Sequence, residues 1–195
     1  MEQSLEHALL ARLKQGDPAA FDEILEAYRL RLFRFLVRLS KRRDVAEDLL
    51  QETWLRLATR APALRDDTQL APWLFTVARN LYFSYRRSRL LDDERVQDLF
   101  RLQTGFEEGR SPFDTAATGE LQRRLEHALA SLPLRYREAL LLVAVEGMTP
   151  GQAAVVCDVK PEAFRQRLSR ARAMLAPMLE AESPGNLAAT RKENP

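Results

Sequence analysis

Cysteine and histidine are scarce in this sequence. Cys157 is the single cysteine among 195 residues, so no disulfide can form within the chain, which fits a reducing, cytoplasmic setting. The two histidines, His7 and His127, lie far apart in the sequence. Because zinc sites need clustered cysteine, histidine or carboxylate side chains, we expect no metal site and no cofactor.

Glycine-rich loops and long apolar runs are missing as well. The seven glycines are scattered, and no Ser/His/Asp or Cys/His arrangement stands out, so we expect no catalytic residue and no enzyme. No apolar run approaches the roughly 20 residues that span a bilayer. The charged N-terminal stretch, residues 1–15, is not typical of a signal peptide. The sequence therefore predicts no membrane insertion.

Neither sign of charge is in large excess, but the charges are unevenly distributed. The formal net charge is +2. Residues 1–90 carry 16 basic and 12 acidic side chains, residues 91–119 carry 3 and 7, and residues 120–195 carry 11 and 9. Two basic segments therefore flank an acidic one. Basic segments attract polyanions, because neutralising phosphates drives most non-specific binding to nucleic acids.

The hydrophobic pattern that is present is helical almost throughout. Apolar residues recur at three- and four-residue spacing, and no stretch alternates with period two over a convincing length. We predict an all-α fold with two small helical domains, residues 1–90 and residues 119–180. The acidic residues 91–118 are predicted to be a flexible linker. Residues 181–195 are predicted to be a disordered tail.

Several helix ends can be predicted from their capping residues. Asp17 followed by Pro18 is typical of a helix start. Asp44 and Glu47 have the spacing of a capping box that would open the next helix. A further helix is predicted from about Pro72 to Arg89, because its apolar residues again follow helical spacing.

The C-terminal part of the sequence outlines a helix-turn-helix. Thr149-Pro150-Gly151-Gln152 opens a short helix, Cys157-Asp158-Val159 makes a turn, and Pro161 lies at the start of a long helix. One side of the apolar stripe of that helix carries Arg165, Arg167, Arg170 and Arg172. The residues predicted to read duplex DNA are Glu162, Arg165, Gln166, Ser169 and Arg172. Such side chains can bind base edges in the major groove; the alternative is an ordinary solvated basic face.

Residues 72–89 combine aromatic and basic side chains on one predicted helix. Aromatic faces can stack on unpaired bases while arginines bind phosphates, so this helix is a candidate for binding single-stranded DNA. The residues predicted to make these contacts are Trp73, Arg79, Asn80, Phe83, Arg86 and Arg87. The competing interpretation is that part of the aromatic set belongs to the core, since Trp73 and Tyr82 lie near the apolar stripe.

The helix predicted over residues 44–59 has an acidic, partly apolar stripe. Its members are Asp44, Glu47, Asp48, Gln51, Glu52 and Leu55. Carboxylates at helical spacing can bind metal, but the Glu–His pairs of di-iron bundles are missing here. A protein-binding face is the better interpretation, and a solvated helix face is the alternative.

Taken in order, two parts of the chain resemble bacterial RNA polymerase sigma factors of the extracytoplasmic-function (ECF) group. The first part is DVAEDLLQETWLRL (44–57) followed by APWLFTVARNLYFSYRRSR (71–89). The second part is LPLRYREALLLVAVEGMTPGQAAV (132–155) followed by RQRLSRARAML (165–175). Their order and separation are similar to those of the promoter-melting domain and the upstream-element domain of that family.

This resemblance implies a set of partners. The helix over 44–57 would bind the clamp coiled coil of core RNA polymerase. The helix over 72–89 and the loop over 60–71 would capture the unpaired strand of the minus-ten promoter element. The helix from Pro161 would read the minus-thirty-five element as duplex DNA. The acidic linker would pass through the RNA-exit path, and an anti-sigma factor would mask the polymerase-binding surfaces.

The sequence departs from the family pattern in the helix-turn-helix. The turn over 157–159 lacks the usual glycine, and larger residues than usual begin the long helix, so the upstream sequence that it reads is expected to differ. One alternative function is a stand-alone helix-turn-helix regulator that binds an operator without polymerase; the aromatic–arginine helix argues against it. Another is a helical adaptor that binds only protein, against which the arginines of 165–172 argue.

Overall fold

The computed structural model describes residues 3–97 and 119–181, and every regular element within these two ranges is helical. The α-helices are α1 (Gln3–Lys14), α2 (Pro18–Ser40), α3 (Arg43–Arg60), α4 (Leu70–Gln97), α5 (Glu120–Ser131), α6 (Leu134–Leu140), α7 (Pro150–Val156) and α8 (Pro161–Ala181). A 3₁₀ turn, Ala61–Ala63, follows α3, and a π-helical turn, Leu141–Val145, follows α6. The all-α prediction is confirmed. The helices form two compact units, one containing α1 to α4 and the other containing α5, α6 and α8.

The N-terminal unit is assembled around α2, which packs against α1, α3 and α4. Asp17 caps α2 as predicted: its side chain accepts a hydrogen bond from the backbone N–H of Ala19 at 2.9 Å. The helix ends where Lys41 adopts a left-handed conformation, with φ 58°. Its fully buried side chains include Ile24, Tyr28, Leu32, Phe35 and Leu36. Burying each large apolar side chain contributes about 1.5–3 kcal/mol, so this stripe is the centre of the core.

The start of α3 differs from the prediction. The helix begins at Arg43, and Arg42 occupies the N-cap position without a side-chain hydrogen bond to the helix backbone. Asp44 lies inside the first turn, where it pairs with Arg42, and Glu47 accepts a hydrogen bond from Arg43 Nε at 2.9 Å. The predicted capping box is therefore wrong. A capping box needs a side-chain acceptor at the N-cap, and arginine has only donors.

Helix α4 is longer than predicted at both ends. It begins at Leu70, so Pro72 lies in the first turn, where its missing N–H costs nothing. It ends at Gln97 instead of Arg89, because residues 91–97 contain neither glycine nor proline and are mostly good helix formers. The helix thus overlaps the start of the predicted linker. Residues 98–118 of that linker and 182–195 of the predicted tail lie outside the described residues.

The second unit brings α8 against α5 and α6. Its buried apolar side chains include Ala128, Leu129, Leu140, Phe164, Leu168 and Ala171. Arg137 of α6 is also buried, and its guanidinium donates to the carbonyl oxygens of Leu129, Ala130 and Leu132 at 2.9, 2.6 and 3.0 Å. These bonds satisfy carbonyl oxygens at and just beyond the C-terminal end of α5, where the helix leaves carbonyls exposed. Leu125 of α5 is 37% exposed.

Candidate nucleic-acid and protein interfaces

Local interactions determine where α7 begins and how the short turn joins it to α8. Thr149 and Gln152 form a capping box at the start of α7: the Thr149 N–H donates to Gln152 Oε1 at 2.9 Å, and the Gln152 N–H donates to Thr149 Oγ1 at 3.2 Å. Between the helices Asp158 adopts a left-handed conformation with φ 53°. The residue types predicted this start and this turn, and both are confirmed.

The outer face of α8 carries the side chains that were predicted to read DNA. Phe164 is fully buried and Leu168 and Ala171 are buried beside it, so the opposite side of the helix faces solvent. The predicted base-reading residues, Glu162, Arg165, Gln166, Ser169 and Arg172, are all exposed. Arg165 Nη1 lies 3.5 Å from Glu162 Oε1 on the previous turn. Donor and acceptor groups are thus available side by side for base edges.

Arg167 does not share this face, contrary to the prediction that placed it with the other arginines. Its side chain is 20% exposed, and its Nη1 lies 3.8 Å from Oε2 of Glu138, a fully buried residue of α6. This partner could not be predicted from the sequence, because the two residues are 29 positions apart. Arg167 therefore joins α8 to α6 instead of facing the solvent.

The aromatic residues of α4 divide between core and surface. Phe75 is fully buried and meets Phe35 of α2 edge to face, with ring centroids 5.1 Å apart. Tyr82 is 7% exposed and is also part of the core. Trp73 and Phe83 are half-buried and reach the surface. The competing interpretation of this helix was thus correct for Phe75 and Tyr82, whereas Trp73 was wrongly grouped with them.

The surface of α4 combines rings with cations, as expected for a single-strand interface. The predicted residues lie along it: Trp73, Arg79 and Phe83 are half-buried, and Asn80, Arg86 and Arg87 are exposed. The guanidinium carbon of Arg79 lies 4.6 Å from the centroid of the Phe83 ring, so cation and ring are stacked. This pair places a phosphate-binding group and an aromatic surface at one spot.

The segment between α3 and α4 is held by charged side chains. Arg65 binds Asp67 through two hydrogen bonds of 2.9 Å, and the Arg65 guanidinium lowers the pKa of that carboxyl. Lys14, at the end of α1, forms an ion pair with Asp66. Sequence reasoning missed the Lys14 contact, since only tertiary structure brings residues 52 positions apart together.

The acidic stripe of α3 lies on the surface. Asp44, Glu47, Asp48 and Gln51 are exposed, Glu52 is half-buried, and Leu55 is 61% exposed. Several of the carboxylates bind nearby arginines; the Arg42 guanidinium lowers the pKa of Asp44, and Glu52 accepts from Arg56 Nε at 3.0 Å. Within the described ranges Asp48 has no ion pair. An exposed leucine flanked by acidic and amide groups can serve as a protein-binding anchor.

Residues 3–97 and 119–181 hold neither a candidate metal site nor a candidate membrane span. No group of three or more histidine, cysteine or carboxylate residues in those ranges is arranged to hold a metal ion. None of the helices there is both long enough and apolar enough to cross a membrane.

Two family profiles match this chain in the expected order. Residues 24–90 match the family described as Sigma-70 region 2, and residues 122–175 match the family described as Sigma-70, region 4. The first range contains the surfaces of α3 and α4, and the second contains most of α5, all of α6 and α7, and the first part of α8.

Individual relatives agree with these matches. The chain is 32% identical to the ECF RNA polymerase sigma factor SigM of Bacillus subtilis, over 79% of this chain and 91% of that protein. It is 33% identical to the ECF RNA polymerase sigma factor EcfG of Rhodopseudomonas palustris, over 81% of this chain and 83% of that protein.

Solved structures show the same fold. The sigma factor RpoE of Bartonella quintana, crystallised with the anti-sigma factor NepR, is 27% identical with a TM-score of 0.67, over 83% of this chain and 98% of that chain. CnrH, solved with the cytosolic domain of CnrY, has a TM-score of 0.66 at 23% identity, over 91% of this chain and 99% of that chain.

Proposed function

The chain belongs to the extracytoplasmic-function group of bacterial RNA polymerase sigma factors, and we propose that it acts through three surfaces, one each on α3, α4 and α8. As a sigma factor it binds core RNA polymerase, recognises promoter elements and initiates DNA-templated transcription. The observation that carries the assignment of surfaces is that the acidic stripe, the aromatic–arginine face and the outer face of α8 are all accessible on the folded chain. The chain lends specificity to an enzyme in the cytoplasm and is not itself one.

The stripe on α3 is the proposed polymerase-binding surface. Asp44, Asp48, Gln51 and Leu55 follow one another at four- and three-residue spacing, so they form a line along one side of the helix. Glu47 and Glu52 flank this line, each held by an arginine of the same helix. Exposed Leu55 supplies apolar contact area, and the polar line supplies orientation and partner choice.

The surface of α4 is the proposed site for the unpaired strand of the minus-ten element. Its six residues are those named above: Trp73, Arg79, Asn80, Phe83, Arg86 and Arg87. Unstacking a base costs a few kcal/mol, and stacking on an aromatic side chain returns roughly 1–3 kcal/mol per base. Phe83 with Arg79 can hold a base and its phosphate together, so binding free energy favours the melted strand.

The outer face of α8 is the proposed reader of the minus-thirty-five element. Pro161 fixes the start of the helix, and Glu162, Arg165 and Gln166 occupy its first two turns. In helix-turn-helix proteins the N-terminal residues of the recognition helix contact base edges in the major groove. Arginine there selects guanine and glutamine selects adenine, while Ser169 and Arg172 extend the contact along the groove.

An anti-sigma factor is the proposed regulator. The RpoE chain, similar in fold over nearly its whole length, was solved with the anti-sigma factor NepR. A protein that covered the α3 stripe would block polymerase binding without altering the fold. The chemistry of the stripe, acidic residues around one exposed leucine, favours a partner that is basic and apolar where it touches α3.

Run-off transcription with the full chain and purified bacterial core polymerase tests the proposal. Genomic fragments from the host serve as templates, and core polymerase alone is the control. Transcripts of defined length that need both proteins would support it, and their start sites would reveal the two promoter elements. Failure to bind core together with tight binding to an operator would favour the stand-alone regulator. Binding to core without any transcript would point to the protein-binding adaptor.

A further inference from the structure

A cavity of about 340 Å³ lies where the junction of α1 and α2 meets the end of α3. One wall is formed by the last residues of α1 and the first of α2, and the other by the end of α3 with the 3₁₀ turn. The cavity is open to solvent on one side, and we call it the α1–α3 cavity. Its apolar lining includes Leu13, Pro18, Phe21, Ala58, Ala61 and Pro62.

Interactions within the chain hold the walls of the α1–α3 cavity in place. Gly16 joins α1 to α2 with φ 80°, a left-handed conformation that glycine adopts without strain. Asp17 begins α2 and accepts a hydrogen bond from Arg12 Nε at 2.8 Å. Helix α1 packs on the 3₁₀ turn, and Lys14 pairs with Asp66. The two charged residues of the lining, Lys14 and Asp17, are therefore both paired, so the apolar residues determine what can enter.

The cavity continues the line of exposed residues along α3. That line runs from Asp44 to Leu55, and Ala58 and Pro62 extend it at intervals of three and four residues. Every residue of the extended line is exposed. Intervals of four and three in alternation average about 3.5 residues, the spacing of a coiled-coil seam, along which a partner helix stays in contact. A helix that covers the stripe on α3 is thus led to the α1–α3 cavity.

The chemistry of this line changes from acidic to apolar toward the cavity. Asp44 and Asp48 lie at one end, and Leu55, Ala58 and Pro62 lie at the other. Leu55 is 61% exposed, and Ala58 lies both on the line and in the lining of the cavity. A helix that matches this order carries basic groups at one end of its contact surface and an apolar side chain at the other.

We propose that the α1–α3 cavity is part of the polymerase-binding surface and receives one apolar side chain of the core-polymerase helix that covers α3. This inference rests on the proposed role of the α3 stripe and extends that surface to α1 and α2. The stripe supplies charge and orientation. The cavity supplies a buried anchor, and a few buried anchors carry most of the binding free energy at protein interfaces.

Filling the cavity at its exposed lining position tests the proposal. Ala58→Phe places a ring where the partner side chain enters, and Ala58→Ser keeps the cavity open. Ala27→Phe is the matched control, because Ala27 is exposed on α2 and does not line the cavity. Competition against the wild-type chain for purified core polymerase measures the affinity. Ala58→Phe should weaken binding roughly ten-fold, and the other two variants should compete like the wild type.

Thermal unfolding of the same variants excludes a general loss of structure. The melting temperature of Ala58→Phe should equal that of the wild type, since Ala58 is exposed. Wild-type or tighter binding of core polymerase by Ala58→Phe would overturn the proposal. So would a ten-fold loss shared by Ala27→Phe, because the loss would not depend on the cavity.

Cross-linking identifies what enters the cavity. Gln15 is exposed and lines the wall opposite α3, and the single native cysteine, Cys157, is buried. Gln15→Cys and Leu55→Cys, each carrying a benzophenone label, should cross-link to the same helix of the same subunit of purified core polymerase. The labelled Ala27→Cys variant should give no cross-link to that helix. A cross-link from position 55 without one from position 15 would overturn the proposal.

Asp48→Arg distinguishes failure of this inference from failure of the proposed function. If Asp48→Arg weakens binding and Ala58→Phe does not, the stripe on α3 binds polymerase and the cavity lies outside the contact. The inference is then wrong and the proposed function stands. If core polymerase binds the chain and neither variant weakens that binding, α3 is not the polymerase-binding surface and both fail.

Discussion

At the scale of single residues, Asp158 makes the largest demand on backbone conformation in the helix-turn-helix. Its φ of 53° is in the left-handed region, where aspartate is tolerated and β-branched residues are not. The family pattern has glycine in this turn, so the chain accepts a small conformational cost at this position. The side chain is exposed, which means that no packing compensates for the strain.

The effect of a substitution at Asp158 on the free energy of unfolding should therefore depend only on how well the new residue tolerates a positive φ. Asp158→Val should lower the free energy of unfolding by about 1–2 kcal/mol, and Asp158→Gly should be neutral or stabilising. Chemical denaturation followed by circular dichroism measures both. Lys160→Val is the control, because it introduces the same side chain into the turn at a position with negative φ. Equal effects of the two valines would show that backbone strain is not the cause.

The hydrogen bond between Asp17 and Arg12 should make the stability of the fold depend on pH. The Asp17 carboxylate accepts a hydrogen bond from Arg12 Nε at 2.8 Å, and chiefly for this reason its pKa lies below the ordinary value of 3.8. Because the folded-state pKa is lowered, the ionised carboxylate stabilises the fold above pH 4 and this contribution is lost as the pH falls through the folded-state value.

Asp17→Asn isolates that contribution. Asparagine remains a good N-cap, so the variant loses the ion pair and retains the cap. We expect it to be less stable than the wild type near neutral pH and equally stable at the acid end of a urea-denaturation series. Asp22→Asn, exposed on the same helix, is the matched control for the same change of side chain. A difference that stayed constant with pH would mean that the ion pair does not contribute.

At the scale of helices, the contact between α6 and α8 contains a buried charge. Glu138 is fully buried and Arg167 reaches it from α8. Removing one partner of a buried ion pair is usually more destabilising than replacing both with apolar residues. We expect the pair to contribute to how α8 lies on α6, and the outer face of α8 to depend on that orientation.

A double-mutant cycle tests the pair. Arg167→Met should cost on the order of 3 kcal/mol of unfolding free energy, and adding Glu138→Leu should recover most of it. Arg172→Met, exposed on the same helix, controls for the loss of an arginine in a stability measurement. If Arg167→Met unfolded like the wild type, Glu138 would be stabilised by other groups and the pair would not orient α8.

The stripe on α3 gives a second prediction at this scale. Asp48→Arg should weaken binding to core polymerase at least ten-fold, because it places a like charge on a basic partner surface. The melting temperature should not change, since Asp48 is exposed and has no ion pair within the described residues. Competition against wild-type chain for core polymerase measures the affinity. Asp22→Arg on α2 reverses a charge elsewhere on the same unit and should compete normally; equal competition by Asp48→Arg would remove α3 from the interface.

At the scale of the whole molecule, the proposed single-strand surface and the proposed duplex-reading helix lie in two separate units. Promoter recognition by both units then requires the two DNA elements to be presented at a compatible distance and rotation. A protein that used only one unit on a given promoter would be indifferent to their separation.

Inserting about five base pairs, half a turn of B-DNA, between the two elements should therefore reduce run-off transcription at least ten-fold. Inserting a full turn of about ten base pairs keeps the relative rotation of the two elements and changes only their distance. The two insertions together therefore distinguish an effect of distance from an effect of rotation. The same insertion upstream of the minus-thirty-five element is the control and should have no effect. Unchanged transcription from the half-turn template would mean that the upstream element is not used on that promoter.

The features of the structure that depend on residues close together in the sequence could be predicted from the sequence. The all-α class, the helix starts at Asp17 and at Thr149, the turn over 157–159 and the polar outer face of α8 all follow from side chains within a few positions of each other. Local hydrogen bonds and helical periodicity act over such short separations. The two parts of the chain that resemble sigma factors lie mostly in helices that could be predicted in this way. Even here the cap of α3 was wrong, because the box motif at Asp44 began two residues after the true N-cap.

What depended on contacts between helices was decided by tertiary structure. Phe75 packs against Phe35 in the core while Phe83 stays at the surface, although both lie on the same aromatic helix. Arg167 turns to Glu138, and Arg137 turns back to the carbonyl oxygens at the end of α5. Periodicity assigns a residue to a side of its own helix, but the partner on that side is set by how distant helices pack, and so is the chemistry that each arginine can perform.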